Sequence, residues 1–361
     1  MKKDVKKAWL KFAETNYDFN LAKLFTEKNI PEEFLEEIVT SYEYSSQKCE
    51  ILHGFESGLT LEQIKLYAKP EFSYHQMRQI RFGFENGLTN EQVSFYAKPK
   101  YESSVMNEIR EGFENGLDFI QVSFYINSDF IENQMREIRL GFQNKLTDKQ
   151  ITFYAKPIFS SCKMKEIRLG FESELTDEQI ALFARPEFDS WQMEVIKKGI
   201  RVNPSMELVK LYAKPELSNA NMREILWSIE EGLTAEQLEV MTNPDLKDSH
   251  LKVIRDGFKN GLTIGQVKLY AKPEFTATQM IFIKNGLLGK LKNCSKHQLE
   301  LIITSKFTDY QLREIIKGFD LDLTYEQIQT YAQSEIPWRD MQKKRNKILC
   351  QELKQTLSEE Y

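Results

Sequence analysis

The sequence predicts an all-α protein, an α/α solenoid of about ten 29-residue helical-hairpin repeats with helical caps at its ends. Apolar, glycine and tyrosine positions recur at this fixed interval along most of the chain. Within each copy the apolar residues follow the spacing of an amphipathic helix. No segment of several residues alternates apolar and polar side chains with the period of two that a strand requires. Fixed periods of roughly 20 to 50 residues are typical of repeat arrays.

The repeat is most regular at the tyrosine of a Tyr-Ala-Lys-Pro segment. Steps of 29 residues connect Tyr67, Tyr96, Tyr125, Tyr154, Phe183, Tyr212, Met241 and Tyr270. Ten copies are marked by the glycine position, at Gly54, Gly83, Gly112, Gly141, Gly170, Gly199, Ser228, Gly257, Gly286 and Gly318. The last step is 32 residues, which indicates an insertion near residues 292–294. One copy cannot bury its aromatic face alone, so neighbouring copies are expected to stack.

The longer helix of each copy is illustrated by the copy that begins at Ser73. Its apolar stripe predicts a helix from about Tyr74 to Asn86. The stripe consists of Met77, Ile80 and Phe84. Ser73 and Gln76 have the spacing of an N-terminal capping box, and Gly87 suits the left-handed position that ends a helix.

A shorter helix follows in the same copy. Thr89 and Gln92 form a second capping box, and Pro99 ends the helix because proline cannot continue the hydrogen-bond ladder. The predicted buried side consists of Val93, Tyr96 and Ala97. Phe72, at an aromatic position that recurs in most copies, is expected to fill the turn between two copies.

The repeat register divides the chain into three segments. Residues 1–45 are predicted to form an N-terminal helical cap with a degenerate first repeat, and residues 46–333 the solenoid. Residues 334–361 are predicted to form a charged C-terminal helical cap. Caps are expected because a stack of repeats leaves its core open at both ends.

Charge and composition limit the class of protein. The 361 residues hold 49 basic and 54 acidic side chains, a formal net charge of −5. This balance argues against a protein that coats nucleic acid without sequence preference. The lysine-rich start lacks the apolar segment of a secretory leader, and no stretch approaches about 18 apolar residues. The sequence therefore predicts a cytoplasmic protein without a membrane partner.

Signals for a metal, a cofactor or catalysis are weak. The cysteines are Cys49, Cys162, Cys294 and Cys350, and the histidines are His53, His75, His250 and His297. Neither set has the spacing of a zinc site, a disulfide framework or a catalytic triad. There is no glycine-rich phosphate loop. We therefore expect no cofactor, no bound metal and no enzymatic activity.

One copy, MKEIRLGFESELTDEQIALFARPEF, shows the family resemblance most clearly. With its sister copies, from Ile51 to Ala332, it resembles the IRxGFExGLTxEQVxxYAKPEF helical repeat of mobile-element and plasmid proteins of low-GC bacteria. The resemblance implies a helical array and carries no catalytic residues. It also implies a role as an inhibitor of a host defence nuclease, of the anti-CRISPR kind, by analogy of context alone.

The first candidate for partner binding is a column of basic residues, that is, residues that occupy the same position in successive copies. Its members are Arg81, Arg110, Arg139, Arg168, Lys197, Arg255 and Lys284. Stacked copies would align them into a positive stripe that meets phosphates or an acidic protein face. The alternative is that they pair with equally regular acidic columns, which include Glu108, Glu137 and Glu166.

Departures from the repeat are the second candidate, because recognition in repeat proteins concentrates on irregular turns and exposed positions. These departures cluster between Asn203 and Gln298. The candidate partner-binding residues are therefore Arg81, Arg110, Arg139, Arg168, Lys197, Arg201, Asn203, Trp227, Arg255 and Lys292. Paired aromatics such as Phe95 and Tyr96 are interpreted as core between copies, although base stacking is the alternative.

Together these patterns predict a non-catalytic helical-repeat scaffold that binds a macromolecule. A protein or ribonucleoprotein complex is the expected partner. Nucleic-acid binding along the basic column and self-assembly through open ends remain the alternatives.

Overall fold

The computed structural model describes residue 7 and residues 30–41, 45–126, 129–202, 206–290, 296–304 and 307–359. These residues form helices and turns and contain no strand, so the predicted all-α class is confirmed. Successive helices pack against their neighbours, as a solenoid-like arrangement requires. The chain forms two compact units, Met1–Leu175 and Thr176–Tyr361.

The first unit alternates helices of 12 and seven residues after a helix at Glu32–Ser41. The longer helices are Ser45–Glu56, Tyr74–Glu85, Ser103–Glu114, Glu132–Gln143 and Ser161–Glu172. The shorter ones are Leu61–Tyr67, Asn90–Tyr96, Phe119–Tyr125 and Asp148–Tyr154. Each longer helix packs against the longer helix of the next copy, and the shorter helices pack against the longer ones.

The second unit repeats this plan with more variation. The longer helices are Ser190–Val202, Asn219–Glu230, Asp248–Lys259, Ala277–Leu287 and Asp309–Asp320. The shorter ones are Asp177–Phe183, Met206–Tyr212, Ala235–Glu239, Ile264–Lys268 and Tyr325–Gln329. A helix at Lys296–Thr304 packs against Ala277–Leu287.

The last helix of the second unit, Trp338–Glu359, keeps the register of the repeat. It packs against Asp309–Asp320, buries Met341 at the repeat position that Met77 holds in the copy described above, and pairs Arg345 with Glu314. The segment predicted as a charged cap thus begins as a further copy of the longer helix.

The capping boxes predicted at the helix N-termini are confirmed in the copy that begins at Ser73. The helix Tyr74–Glu85 begins with a capping box between Ser73 and Gln76, and its C-cap residue Asn86 is followed by Gly87 at φ 86°. Thr89 and Gln92 cap the next helix in the same way. Other copies place non-glycine residues at the left-handed position, namely Lys145, Glu174 and Asp322.

The capping glutamine of the longer helix also joins neighbouring copies. Gln76 accepts the Ser73 N–H with its Oε1 and donates its Nε2–H to the carbonyl of Tyr101 in the following turn, at 2.7 Å. Gln134 and Gln192 make the equivalent bonds to Phe159 and Leu217. The capping box was predicted from the sequence, and the structure adds this bond between copies.

The tyrosine and glycine columns meet in the core. The Tyr96 hydroxyl donates to the carbonyl of Gln79 at 3.2 Å and lies against Gly83, where an added Cβ would be 2.0 Å from the hydroxyl oxygen. Burial raises the pKa of Tyr96, so the hydroxyl keeps its proton and remains a donor. Glycine is required here because the ring occupies the space of a side chain.

The neighbouring aromatic position packs between copies, as predicted. The ring of Phe95 meets Phe113 edge-on at 5.6 Å, and Phe153 meets Phe171 at the same distance. These contacts favour the core interpretation of the paired aromatics.

Candidate functional site

The basic column of the first unit is buried and paired. Arg81, Arg110, Arg139 and Arg168 are each at most 8% exposed. Each donates its Nε–H to the side chain found 31 residues earlier, in the preceding copy. For Arg139 that partner is Glu108, at 2.8 Å, and its Nη2 is 2.6 Å from Glu111.

This pairing removes the four arginines from the surface that a partner would meet. A guanidinium that satisfies carboxylates on two sides has few donors left for a phosphate. The expectation of an open positive stripe at these positions therefore does not hold in the first unit. The alternative, pairing with the acidic columns, accounts for all four: Arg81, Arg139 and Arg168 meet carboxylates of the preceding copy, and Arg110 meets Glu114 on its own helix and Gln79 in the preceding copy.

In the second unit, two apolar residues replace this ion pair between the longer helices Ser190–Val202 and Asn219–Glu230. Val195 occupies the acidic position of the longer helix Ser190–Val202, and Leu226 occupies the basic position of the next longer helix, Asn219–Glu230. Both side chains are buried. The substitution is matched on both sides, which avoids an unpaired buried charge.

A groove of about 230 Å³ lies between these two helices. It is lined by Trp191, Glu194, Val195 and Lys198 on one side and by Asn219, Arg223, Leu226 and Trp227 on the other. We call it the tryptophan groove. Trp191 is 65% exposed and Trp227 is 36% exposed, so two large aromatic side chains border an apolar floor.

Two arginines hold Trp227. The guanidinium of Arg223, on the same helix, lies 5.6 Å from the ring centroid, and that of Arg255, on the next longer helix, lies 5.7 Å from it. Cation–π contacts of this kind fix the orientation of an exposed ring. Arg255 is correspondingly farther from its acidic partner, with Nη1 3.5 Å from Glu224.

The cations that line the groove lack acidic partners. Neither Lys198 nor Arg223 forms an ion pair within the part of the chain that the structure describes. The basic residues of the next copy differ, since Lys252, Arg255 and Lys259 all meet carboxylates.

Glu224 is one of those carboxylates. Its burial raises its pKa, and Arg255 and Lys252 offset part of that rise.

The remaining predicted residues are separated from this site or lie outside the described structure. Lys197 is buried, and Arg201 is exposed near the end of its helix. Asn203 and Lys292 fall outside the described residues. Of the predicted set, the structure brings Trp227 and Arg255 together.

The sequence alone did not lead to the prediction that Trp191, Val195 and Lys198 form one site with an apolar floor. The signal was present, because Val195 and Leu226 are 31 residues apart, the separation of each arginine from its partner in the preceding copy.

The described residues contain no helix that is both long and apolar enough to cross a membrane. Nor do the searched ranges contain three His, Cys, Asp or Glu side chains grouped to hold a metal ion. Comparison with protein-family models, curated proteins and solved structures finds no match for this chain.

Proposed function

We propose that this chain is a non-catalytic helical-repeat scaffold that binds a protein, alone or within a ribonucleoprotein, through the tryptophan groove. One observation supports this most directly. The two neighbouring copies that form the groove replace a buried ion pair with Val195 and Leu226, and they place Trp191 and Trp227 at the edge of that apolar floor.

Protein interfaces favour this combination of side chains. Tryptophan and arginine are enriched among the residues that dominate binding free energy, above all where an apolar centre excludes water. A groove between two helices is also supported by the core beneath it, so binding restricts the motion of few additional side chains. The resemblance to mobile-element repeats adds one partner class to test, a nuclease complex of host defence.

Nucleic acid fits this groove less well. Binding along phosphates requires several unpaired cations in a row, whereas the groove offers Lys198 and Arg223 beside the carboxylate of Glu194. Stacking of a base on Trp191 would leave the apolar floor without a counterpart.

The proposal is tested by affinity capture from extracts of the source cells with two matched variants. Trp191→Ala/Trp227→Ala removes the groove aromatics. Tyr310→Ala is the control, since Tyr310 is 62% exposed and occupies the helix position of Trp191 in another copy. Captures are run with and without nuclease and are eluted with rising salt.

We expect a discrete protein to be retained by the parent chain and by Tyr310→Ala, and to be lost from the double variant. Nuclease should leave it in place, and the protein should stay bound at salt that releases phosphate-bound nucleic acid, because contacts on the apolar floor are not screened. Retention of the same proteins by the double variant would contradict the proposal. So would recovery of nucleic acid alone that leaves the column at moderate salt.

A further inference from the structure

The tryptophan groove has the dimensions of a helix-binding site. On one side Trp191, Glu194, Val195 and Lys198 are spaced i, i+3, i+4 and i+7. The lining therefore spans two helical turns, or about 10 Å along the axis. Amphipathic helices bind in such grooves by placing apolar side chains one or two turns apart.

The volume of the groove favours side chains of a longer bound segment over a separate small molecule as its occupant. Pockets for drug-sized ligands enclose roughly 300–1,000 Å³ and bury most of the ligand. This groove holds about 230 Å³ and is an open cleft between two surface helices. It has room for one or two apolar side chains of a longer segment.

The charged side chains of the groove favour a ligand segment whose polar face is acidic. Lys198 and Arg223 border the apolar floor without an acidic partner in the described chain, against the single carboxylate of Glu194. In the next copy, Lys252 and Lys259 are neutralised by Asp248 and Glu231. An acidic ligand would supply the neutralisation that the groove cations lack.

We infer that the tryptophan groove binds an acidic amphipathic helix of the partner protein. Its apolar side chains lie on Val195 and Leu226 between the two tryptophans, and its carboxylates face Lys198 and Arg223. The inference rests on the proposed function and specifies the chemistry of the ligand.

A displayed library of random 16-residue peptides tests this without knowledge of the natural partner. The library is selected on the full chain, on Trp191→Ala/Trp227→Ala and on Lys198→Glu/Arg223→Glu. Lys268→Glu, on the exposed side of a shorter helix, serves as the charge control. Circular dichroism and urea unfolding establish that each variant is folded.

We expect the parent chain and Lys268→Glu to enrich peptides with apolar residues at helical spacing and an excess of Asp and Glu. A synthetic copy of an enriched peptide should bind each tryptophan single variant at least tenfold more weakly. The charge-reversed variant should lose these peptides and prefer basic ones.

Two results would overturn the inference, and they differ in what they imply for the proposed function. Enrichment of neutral or basic peptides that still depends on both tryptophans would refute the acidic ligand and leave groove-mediated protein binding intact. Absence of any tryptophan-dependent peptide would refute the helical ligand, while the capture experiment decides the proposed function separately.

Discussion

Ser228 makes a hydrogen bond equivalent to the one that tyrosine makes in several other copies, and Met241 stands at the tyrosine position. The Ser228 hydroxyl donates to the carbonyl of Glu224 at 2.8 Å. In a regular copy, Tyr125 donates to the carbonyl of Glu108, which holds the same repeat position as Glu224. Loss of the tyrosine ring thus makes room for a side chain at the glycine position, and that side chain replaces the lost donor.

This coupling predicts that Met241→Tyr alone is destabilising. The new hydroxyl would meet the Cβ of Ser228, and overpacking of this kind costs roughly 1–3 kcal/mol in the free energy of unfolding. Adding Ser228→Gly should recover most of the loss. Urea unfolding of both single variants and the double variant measures the coupling. Additive effects would show that the two positions are independent.

The same contact predicts that Gly83→Ala is destabilising in the first unit. The added Cβ would lie 2.0 Å from the Tyr96 hydroxyl oxygen, so the ring must shift. We expect a loss of roughly 1–3 kcal/mol, reduced when Tyr96→Phe is added. Gly265→Ala is the control, because a Cβ there would have its nearest neighbouring atom 4.0 Å away. A loss there as large as at Gly83 would contradict the steric explanation.

The buried ion pair between copies predicts an asymmetry. Arg139→Leu leaves Glu108 buried without its partner and should lower the free energy of unfolding by roughly 3–5 kcal/mol. The double variant Glu108→Val/Arg139→Leu copies the pair found at Val195 and Leu226 and should regain most of that stability. Unfolding midpoints in urea test both. A double variant as unstable as Arg139→Leu would argue that the apolar pair stabilises only the packing of Ser190–Val202 against Asn219–Glu230.

His250 predicts a pH dependence of stability. It stands at the capping-glutamine position, where its Nδ1 accepts the N–H of Lys247. Burial lowers the pKa of His250, and Lys247 adds to the shift while Asp248 opposes it. The unfolded chain therefore binds a proton at higher pH than the folded chain, and stability falls as the pH drops through about 6.5.

His250→Gln should remove this part of the acid sensitivity. The glutamine restores the side chain of Gln76 and Gln134 and should donate to the turn that follows, as theirs do. Melting temperatures at pH 7.5 and 5.5 compare the parent chain, His250→Gln and the exposed control His53→Gln. An equal acid-induced decrease in all three would exclude His250 as the cause.

Left-handed backbone at non-glycine residues predicts stabilising substitutions. Lys145 and Glu174 have φ near 60°, at the position that Gly87 and Gly116 occupy in other copies. Lys145→Gly and Glu174→Gly should each raise the free energy of unfolding by up to about 1 kcal/mol, because glycine relieves the steric cost. Thermal melts measure the gain, and a decrease would show that the side chains make compensating contacts.

The sequence by itself determined the helical hairpin, its caps and its core. Periodic positions indicate burial directly, so the pattern alone assigns Met77, Ile80 and Tyr96 to the core, and Ser73 with Gln76 to a cap. These features depend on residues close in sequence or on a regular period.

Only the tertiary structure decided what the charged columns do. Whether Arg139 faces solvent or Glu108 depends on which side chain of the preceding copy lies opposite, 31 residues away. The groove at Trp191 and Trp227 forms where the same two positions are held by the apolar residues Val195 and Leu226. Periodicity identifies the columns, but the packing of neighbouring copies determines which columns touch.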